Sequence, residues 1–107
     1  MSLKIVNSTQ LKELIDAEET LTVLDVRENH EVVLCAIPGA VHIPMQEVPH
    51  RLEELDTKAR TVVYCHHGMR SHAVASYLLE QGFEDVANLA GGIDGWAQTV
   101  DPTVTRY

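Results

Sequence analysis

The sequence predicts an α/β domain built on a mainly parallel sheet with helices packed against it. Five short apolar or β-prone runs, opening at Leu3, Leu21, Val41, Thr61 and Asp85, alternate with segments of helical character. Two of them, Leu21-Thr22-Val23-Leu24-Asp25-Val26 and Thr61-Val62-Val63-Tyr64, are apolar enough to be buried on both faces, as parallel strands are. A length of 107 residues is that of one domain, and it buries roughly two-thirds of its unfolded surface without a metal or disulfide. Residues 1–107 are therefore read as a single domain, with 97–107 as a tail of unassigned structure.

Leu3-Lys4-Ile5-Val6 opens the chain as a strand. Asn7, Ser8 and Thr9 then offer helix caps, and Leu11, Leu14 and Ile15 carry helical spacing through Ala17. After the Leu21 strand, Glu28 to Leu34 reads as a short helix and Ile37-Pro38-Gly39-Ala40 as a turn. Val41-His42-Ile43 is a brief strand closed by Pro44. Gln46 to Leu55 reads as a helix around Val48, Leu52 and Leu55, with Pro49 near its start. The Thr61 strand leads to a helix over Ser71 to Glu80, stopped by Gly82. Asp85 to Leu89 is the fifth strand. Gly91-Gly92 then turns the chain into a last helical turn or two around Trp96.

Acidic residues outnumber basic ones 16 to 8, a net charge of −8. This balance argues against nucleic acid or an anionic membrane as partner. No apolar run approaches the length of a membrane span. Two cysteines, Cys35 and Cys65, are too few for a secreted disulfide framework, so a reducing, cytoplasmic setting is expected.

The chemistry concentrates in Cys65-His66-His67-Gly68-Met69-Arg70-Ser71, between the Thr61 strand and its helix. A loop of this kind aims backbone N–H groups and a positive helix end at whatever it encloses. A free cysteine titrates at about 8.5. A helix terminus supplies at most about 2 kcal/mol, enough for a shift of about one pH unit. The amides from His66 to Ser71 and the guanidinium of Arg70 add to it, so Cys65 is expected as a thiolate. Asp25 ends a strand as Cys65 does, which puts both on the carboxyl side of the sheet, where sites of such sheets lie.

Several blocks together resemble the single-domain rhodaneses, a sulfurtransferase family. They are Leu24-Asp25-Val26-Arg27-Glu28, Ile37-Pro38-Gly39-Ala40-Val41-His42-Ile43-Pro44, the Cys65 loop, Gly82-Phe83 with Val86, and Leu89-Ala90-Gly91-Gly92-Ile93 with Trp96. They stand in family order from Leu21 to Trp96. The resemblance implies a five-stranded parallel sheet flanked by helices on both faces, with Cys65 as nucleophile in a shallow pocket. Where the family reads Gly-His before Ile-Pro-Gly-Ala, this chain has Cys35-Ala36, so any part of that histidine in shaping the turn is absent. The loop cysteine and its surroundings are intact.

The implied reaction is sulfur transfer through a Cys65 persulfide, from thiosulfate or a persulfide donor to a thiol, to cyanide in an assay, or to a protein sulfur acceptor. No cofactor is implied. His66, His67, Gly68, Met69, Arg70 and Ser71 form the substrate-binding loop. Arg70 either meets the oxyanion end of the donor or steadies the loop, and Gly68 permits the turn where a side chain would block the pocket. Ser71 is expected to cap the following helix, with a hydrogen bond to sulfur as the lesser role. Asp25 and Arg27 are expected to buttress the pocket through polar contacts. Four residues separate Cys65 from Arg70, whereas related phosphatases and arsenate reductases place five there, and the shorter loop fits one sulfur atom. Those enzymes are one rival reading; a sulfur carrier without turnover or a rhodanese-like protein-binding module is the other.

Other residues have plainer readings. Cys35 is filler before it is a resolving thiol. His66, His67 and His72 are rim residues, since neighbours on a tight loop rarely converge on one ion and zinc spacings are absent. Trp96 belongs to the core or pocket wall. Glu18-Glu19 and Glu53-Glu54 are solvated surface.

Overall fold

The computed structural model describes residues 3–17 and 20–107. The pair Glu18-Glu19 lies outside the described residues. Strands β1 (Lys4–Val6), β2 (Leu21–Asp25), β3 (Val41–His42), β4 (Arg60–Tyr64) and β5 (Val86–Leu89) form one sheet in the order β1-β5-β4-β2-β3, and every neighbouring pair is parallel. Helices α1 (Ser8–Asp16), α2 (Asn29–Leu34), α3 (Met69–Glu80) and α4 (Gly92–Thr99) connect and cover it.

The apolar runs split by the two-residue period of a strand. Leu24, Val63 and Val86 point into one layer with Val74, Ala75 and Leu78 of α3. Val23, Val62 and Ala87 point into the other with Leu11 of α1 and Ile93 and Trp96 of α4. Because both layers are apolar, the residues Val23 to Asp25 of β2 and Thr61 to Tyr64 of β4 are buried on both faces, which is why these strands lack polar alternation. At the end of β4 the alternation continues: Tyr64 enters the α1–α4 layer, and Cys65 enters the α3 layer.

Local chemistry sets the helix starts. Asn7 accepts a hydrogen bond from the Gln10 amide at 2.8 Å, and the Gln10 side chain accepts from the Asn7 amide at 2.8 Å. This reciprocal cap begins α1 where the sequence places it. Glu28 and Glu31 form the same kind of box at α2.

Two expectations need correction. The segment read as a helix over Gln46 to Leu55 forms two short 3₁₀ pieces, Met45–His50 and Leu52–Glu54. Pro49 has no N–H to give and crowds the preceding turn, so an α-helix does not propagate through it. Helix α3 starts at Met69, two residues before Ser71. Arg70 and Ser71 therefore belong to its first turn. The final segment, unassigned from sequence, turns back after α4 through Asp101 N–H to Trp96 O at 3.0 Å, and Arg106 Nε reaches Asp94 at 2.9 Å. Among the described residues, no helix is long and apolar enough to cross a membrane.

Candidate active site

Cys65 follows β4 at the carboxyl end of the sheet and is 1% exposed. Its Sγ accepts hydrogen bonds from the amides of Gly68 at 3.1 Å and Ser71 at 3.4 Å, and the Ser71 hydroxyl lies at 3.3 Å. Burial pushes the thiol pKa up. The Ser71 hydroxyl and the amides of Ser71, Gly68 and His67 outweigh it and leave Cys65 below the ordinary thiol value. His66, His67, Met69 and Arg70 surround the shallow opening above it.

Two glycines with positive φ make this geometry possible, and at the second, Gly92 (φ +58°), lack of space adds to the backbone reason. Gly68 sits at the N-cap of α3 with φ +113°, a backbone state that side chains resist. A Cβ there would meet Leu89 O at an ordinary 3.5 Å, so the turn itself, rather than blockage of the pocket, requires glycine. At Gly92 the added reason is space: a Cβ would stand 2.6 Å from Cys65 O and collide with His66 O. That close approach lets the first turn of α4 hold the loop from behind. Ile93 N–H donates to Cys65 O at 2.9 Å and Asp94 N–H to His66 O at 3.1 Å. With its carbonyls drawn towards α4, the loop presents its amides to the sulfur.

Beside the loop lies a buried ionic cluster. Arg27 is fully buried and Asp25 is 1% exposed. Arg27 Nη2 reaches Asp25 at 2.7 Å and the Cys35 carbonyl at 2.7 Å. Tyr64 donates to Asp25 at 2.7 Å and accepts from the Ile37 amide at 3.2 Å. Burial and the Asp25 charge together push the Tyr64 phenol up, so it stays a donor. Asp25 and Arg27 thus tie β2, β4 and the Cys35–Ile37 turn together, and Arg27 Nη1 lies 3.8 Å from Cys35 Sγ. Cys35 and Cys65 are both free thiols.

Arg70 turns its two terminal nitrogens onto Glu31, at 2.6 and 2.9 Å. This fork holds Glu31 well below the usual carboxylate range, and burial only partly opposes it. Tyr107 completes the cluster: it donates to Glu31 at 2.6 Å, accepts from Arg27 Nη1 at 3.0 Å and stacks on His66 at 3.8 Å. His66 is sandwiched between Tyr107 and His67 instead of facing solvent freely, while His67, Met69 and His72 are exposed. His66, His67 and Asp94 bring potential ligand atoms within 4.8 Å of one another. Both Asp94 oxygens are already engaged, by Arg106 at 2.9 Å and Gln98 at 2.9 Å, so this group is a salt-linked rim.

Ser71 does not cap α3, because Gly68 holds that position. The Ser71 side chain turns inward to Cys65 and to Asn88 Oδ1, 2.5 Å away, and Asn88 Nδ2 donates to Gly68 O at 3.0 Å. Sequence reasoning missed Glu31, Asn88, Gly92 and Tyr107. The one local signal was the Gly91-Gly92 pair one residue beyond a strand, which marks a close backbone approach.

Comparison with known proteins agrees with this geometry. The rhodanese-like domain profile matches residues 7–99. The Bacillus subtilis protein YtwF, described as a candidate sulfurtransferase, is 44% identical over 102 residues, 95% of this chain and 98% of that one. The thiosulfate sulfurtransferase GlpE of Pseudoalteromonas translucida is 33% identical over 106 residues, covering 99% and 100%. The crystal structure of a rhodanese-related protein from Thermoplasma volcanium superposes with a TM-score of 0.82 at 31% identity, covering 91% and 93%. With a matching profile over most of its length and relatives aligned end to end, the chain belongs to the rhodanese-like domain family.

Proposed function

We propose that this protein is a sulfurtransferase that moves a sulfane sulfur through a persulfide on Cys65. The observation that carries the reading is the ring of loop amides and one hydroxyl around a buried sulfur, which favours the anion although burial opposes it. The thiolate attacks the outer sulfur of thiosulfate. A sulfur–sulfur bond forms at Cys65, the donor's sulfur–sulfur bond breaks, and sulfite leaves with the bonding pair. The terminal sulfur of the persulfide then carries the negative charge, and the loop amides solvate it. A nucleophilic acceptor such as cyanide or a thiolate attacks that terminal sulfur, takes it as thiocyanate or a new persulfide, and returns Cys65 as thiolate. No general base is required, and the kinetics are ping-pong.

Arg70 acts here by steadying the loop through Glu31, since both of its terminal nitrogens are engaged. The family resemblance of the whole chain supports the reaction class, and the short loop between Cys65 and Arg70 suits one sulfur atom better than a tetrahedral oxyanion. The test is intact-mass analysis after incubation with thiosulfate. Wild type is expected to gain the mass of one sulfur atom, Cys65→Ser to gain none, and cyanide to remove it. Hydrolysis of an aryl phosphate without sulfite release would overturn the reading. Loading without multiple turnover would reduce the protein to a carrier.

A further inference from the structure

We propose that Asn88 is a positioning residue for Cys65, acting by competing with the sulfur for the single hydroxyl proton of Ser71. The proposal rests on Cys65 being the reactive nucleophile of the preceding section. Asn88 is buried at the end of β5 and is 6% exposed. Its Nδ2 donates to the Gly68 carbonyl at 3.0 Å, which fixes the amide orientation and leaves Oδ1 facing Ser71. Oδ1 only accepts, so the 2.5 Å contact is a hydrogen bond donated by Ser71. The same hydroxyl lies 3.3 Å from Cys65 Sγ. One proton therefore faces two acceptors, and it serves one of them at a time.

The two protonation states of the sulfur use this contact differently. A thiol donates to Ser71 Oγ while Ser71 donates to Asn88, a continuous chain that favours the protonated form. A thiolate draws the Ser71 proton to itself and leaves Asn88 Oδ1 without that donor. On persulfide formation the charge moves outward to the terminal sulfur, and the hydroxyl returns to Asn88. Asn88 thus sets how readily Cys65 ionises, and with it the balance between thiolate population and nucleophilicity, which falls as a thiolate is stabilised. Other charged groups around the sulfur are Arg70, itself paired with Glu31, then His66 and His67 on the loop, with Asp94 beyond His67. The hydrophobic side chains clustered with Cys65 include Leu24 of β2, Val26 just after it, Val63 of β4, and Val74 and Ala75 of α3. None of these groups changes in the experiment below.

The experiment measures the rate of alkylation at Cys65 against pH, read by mass spectrometry of the Cys65 peptide from the full chain. Asn88→Ala is expected to lower the midpoint by roughly half to one pH unit, the scale of one hydrogen bond. Ser71→Ala raises it. In the Ser71→Ala background, Asn88→Ala is expected to give a smaller shift, since only the lost Nδ2 bond to the Gly68 carbonyl then remains to act on the sulfur. Asn88→Asp keeps an acceptor at similar volume and strengthens it, so the midpoint rises, and rises less once Ser71 is alanine. Circular dichroism checks that each variant is folded. Equal shifts with and without Ser71, or no shift from either Asn88 variant, would overturn the proposal. If the midpoints move as expected while thiosulfate adds no sulfur, the relay stands and the proposed reaction falls.

Discussion

Two buried polar regions meet at the carboxyl end of the sheet, and they are made of opposite materials. Around Asp25 and Arg27 the material is full charge, each group matched by a partner side chain or carbonyl. Around Cys65 it is peptide dipole and one hydroxyl, and the neighbouring cation Arg70 is spent on Glu31. A cluster that neutralises itself fixes positions but has little field left for a ligand. A ring of partial charges left unneutralised holds an anion that comes and goes. The protein separates the two tasks by placing Tyr64 and Cys65, adjacent in sequence, in opposite layers. Under the proposed function, a chain of net charge −8 would meet an anionic donor through dipoles at contact distance, while salt screens the overall field beyond about 8–10 Å.

The sharpest way to break this comparison is Arg27→Leu. It strands the Asp25 carboxylate in a buried site and is expected to cost about 3–5 kcal/mol in urea unfolding. At low temperature the surviving folded fraction should still load sulfur, because the hydrogen bonds described at Cys65 Sγ come from Gly68 and Ser71, while Arg27 meets the other thiol, Cys35, at 3.8 Å. Loss of loading per folded molecule would show that the ionic cluster takes part in the chemistry. Gly92→Ala probes the other region. Its Cβ pushes the Cys65 and His66 carbonyls off α4, and a displacement of the loop by about 1 Å is expected to slow sulfur loading on the order of a hundredfold. Retained activity would mean that the amides need no support from behind.

Glu31→Gln gives the smallest effect and sharpens the boundary between the regions. Arg70 holds Glu31 well below the ordinary carboxylate value. Its contribution is therefore fully present above about pH 4.3, the unfolded value, and fades as pH falls further through the folded one. At neutral pH the variant is expected to lose about 1 kcal/mol, since Arg70 is a third exposed and the pair is partly screened. The gap from wild type should narrow below about pH 4 in acid-unfolding curves. A gap that stays constant with pH would mean that Glu31 acts through packing alone.

What was legible in the sequence follows the range of the interactions. The strands and the reactive loop announce themselves through apolar runs and a strand-loop-helix order, all local. Asp25 and Arg27, expected to make polar contacts, do bond to each other two residues apart. Tyr107 was not. It meets Glu31 and Arg27 across 76 and 80 positions, and no spacing rule spans that distance. Asn88 reads as an ordinary strand residue until its neighbour across the layer is known. Glu31 reads as a solvent-facing acid on a short helix, and only the fold brings Arg70 to it. The error over Gln46 to Leu55 is of another kind: apolar spacing suggested a helix, and the missing amide of Pro49 outweighed it.

The alternation at the end of β4 carries a consequence for how this chain tolerates insertion and deletion. Shifting the strand by one position against β2 exchanges the phenol and the thiol between layers, presenting the Cys65 thiol to Asp25 and leaving the loop to enclose an aromatic ring. Length changes in the connection before Arg60 are harmless only while the pairing of Asp25 with Tyr64 survives. That single rung is the frame in which the codon for Cys65 has to be read.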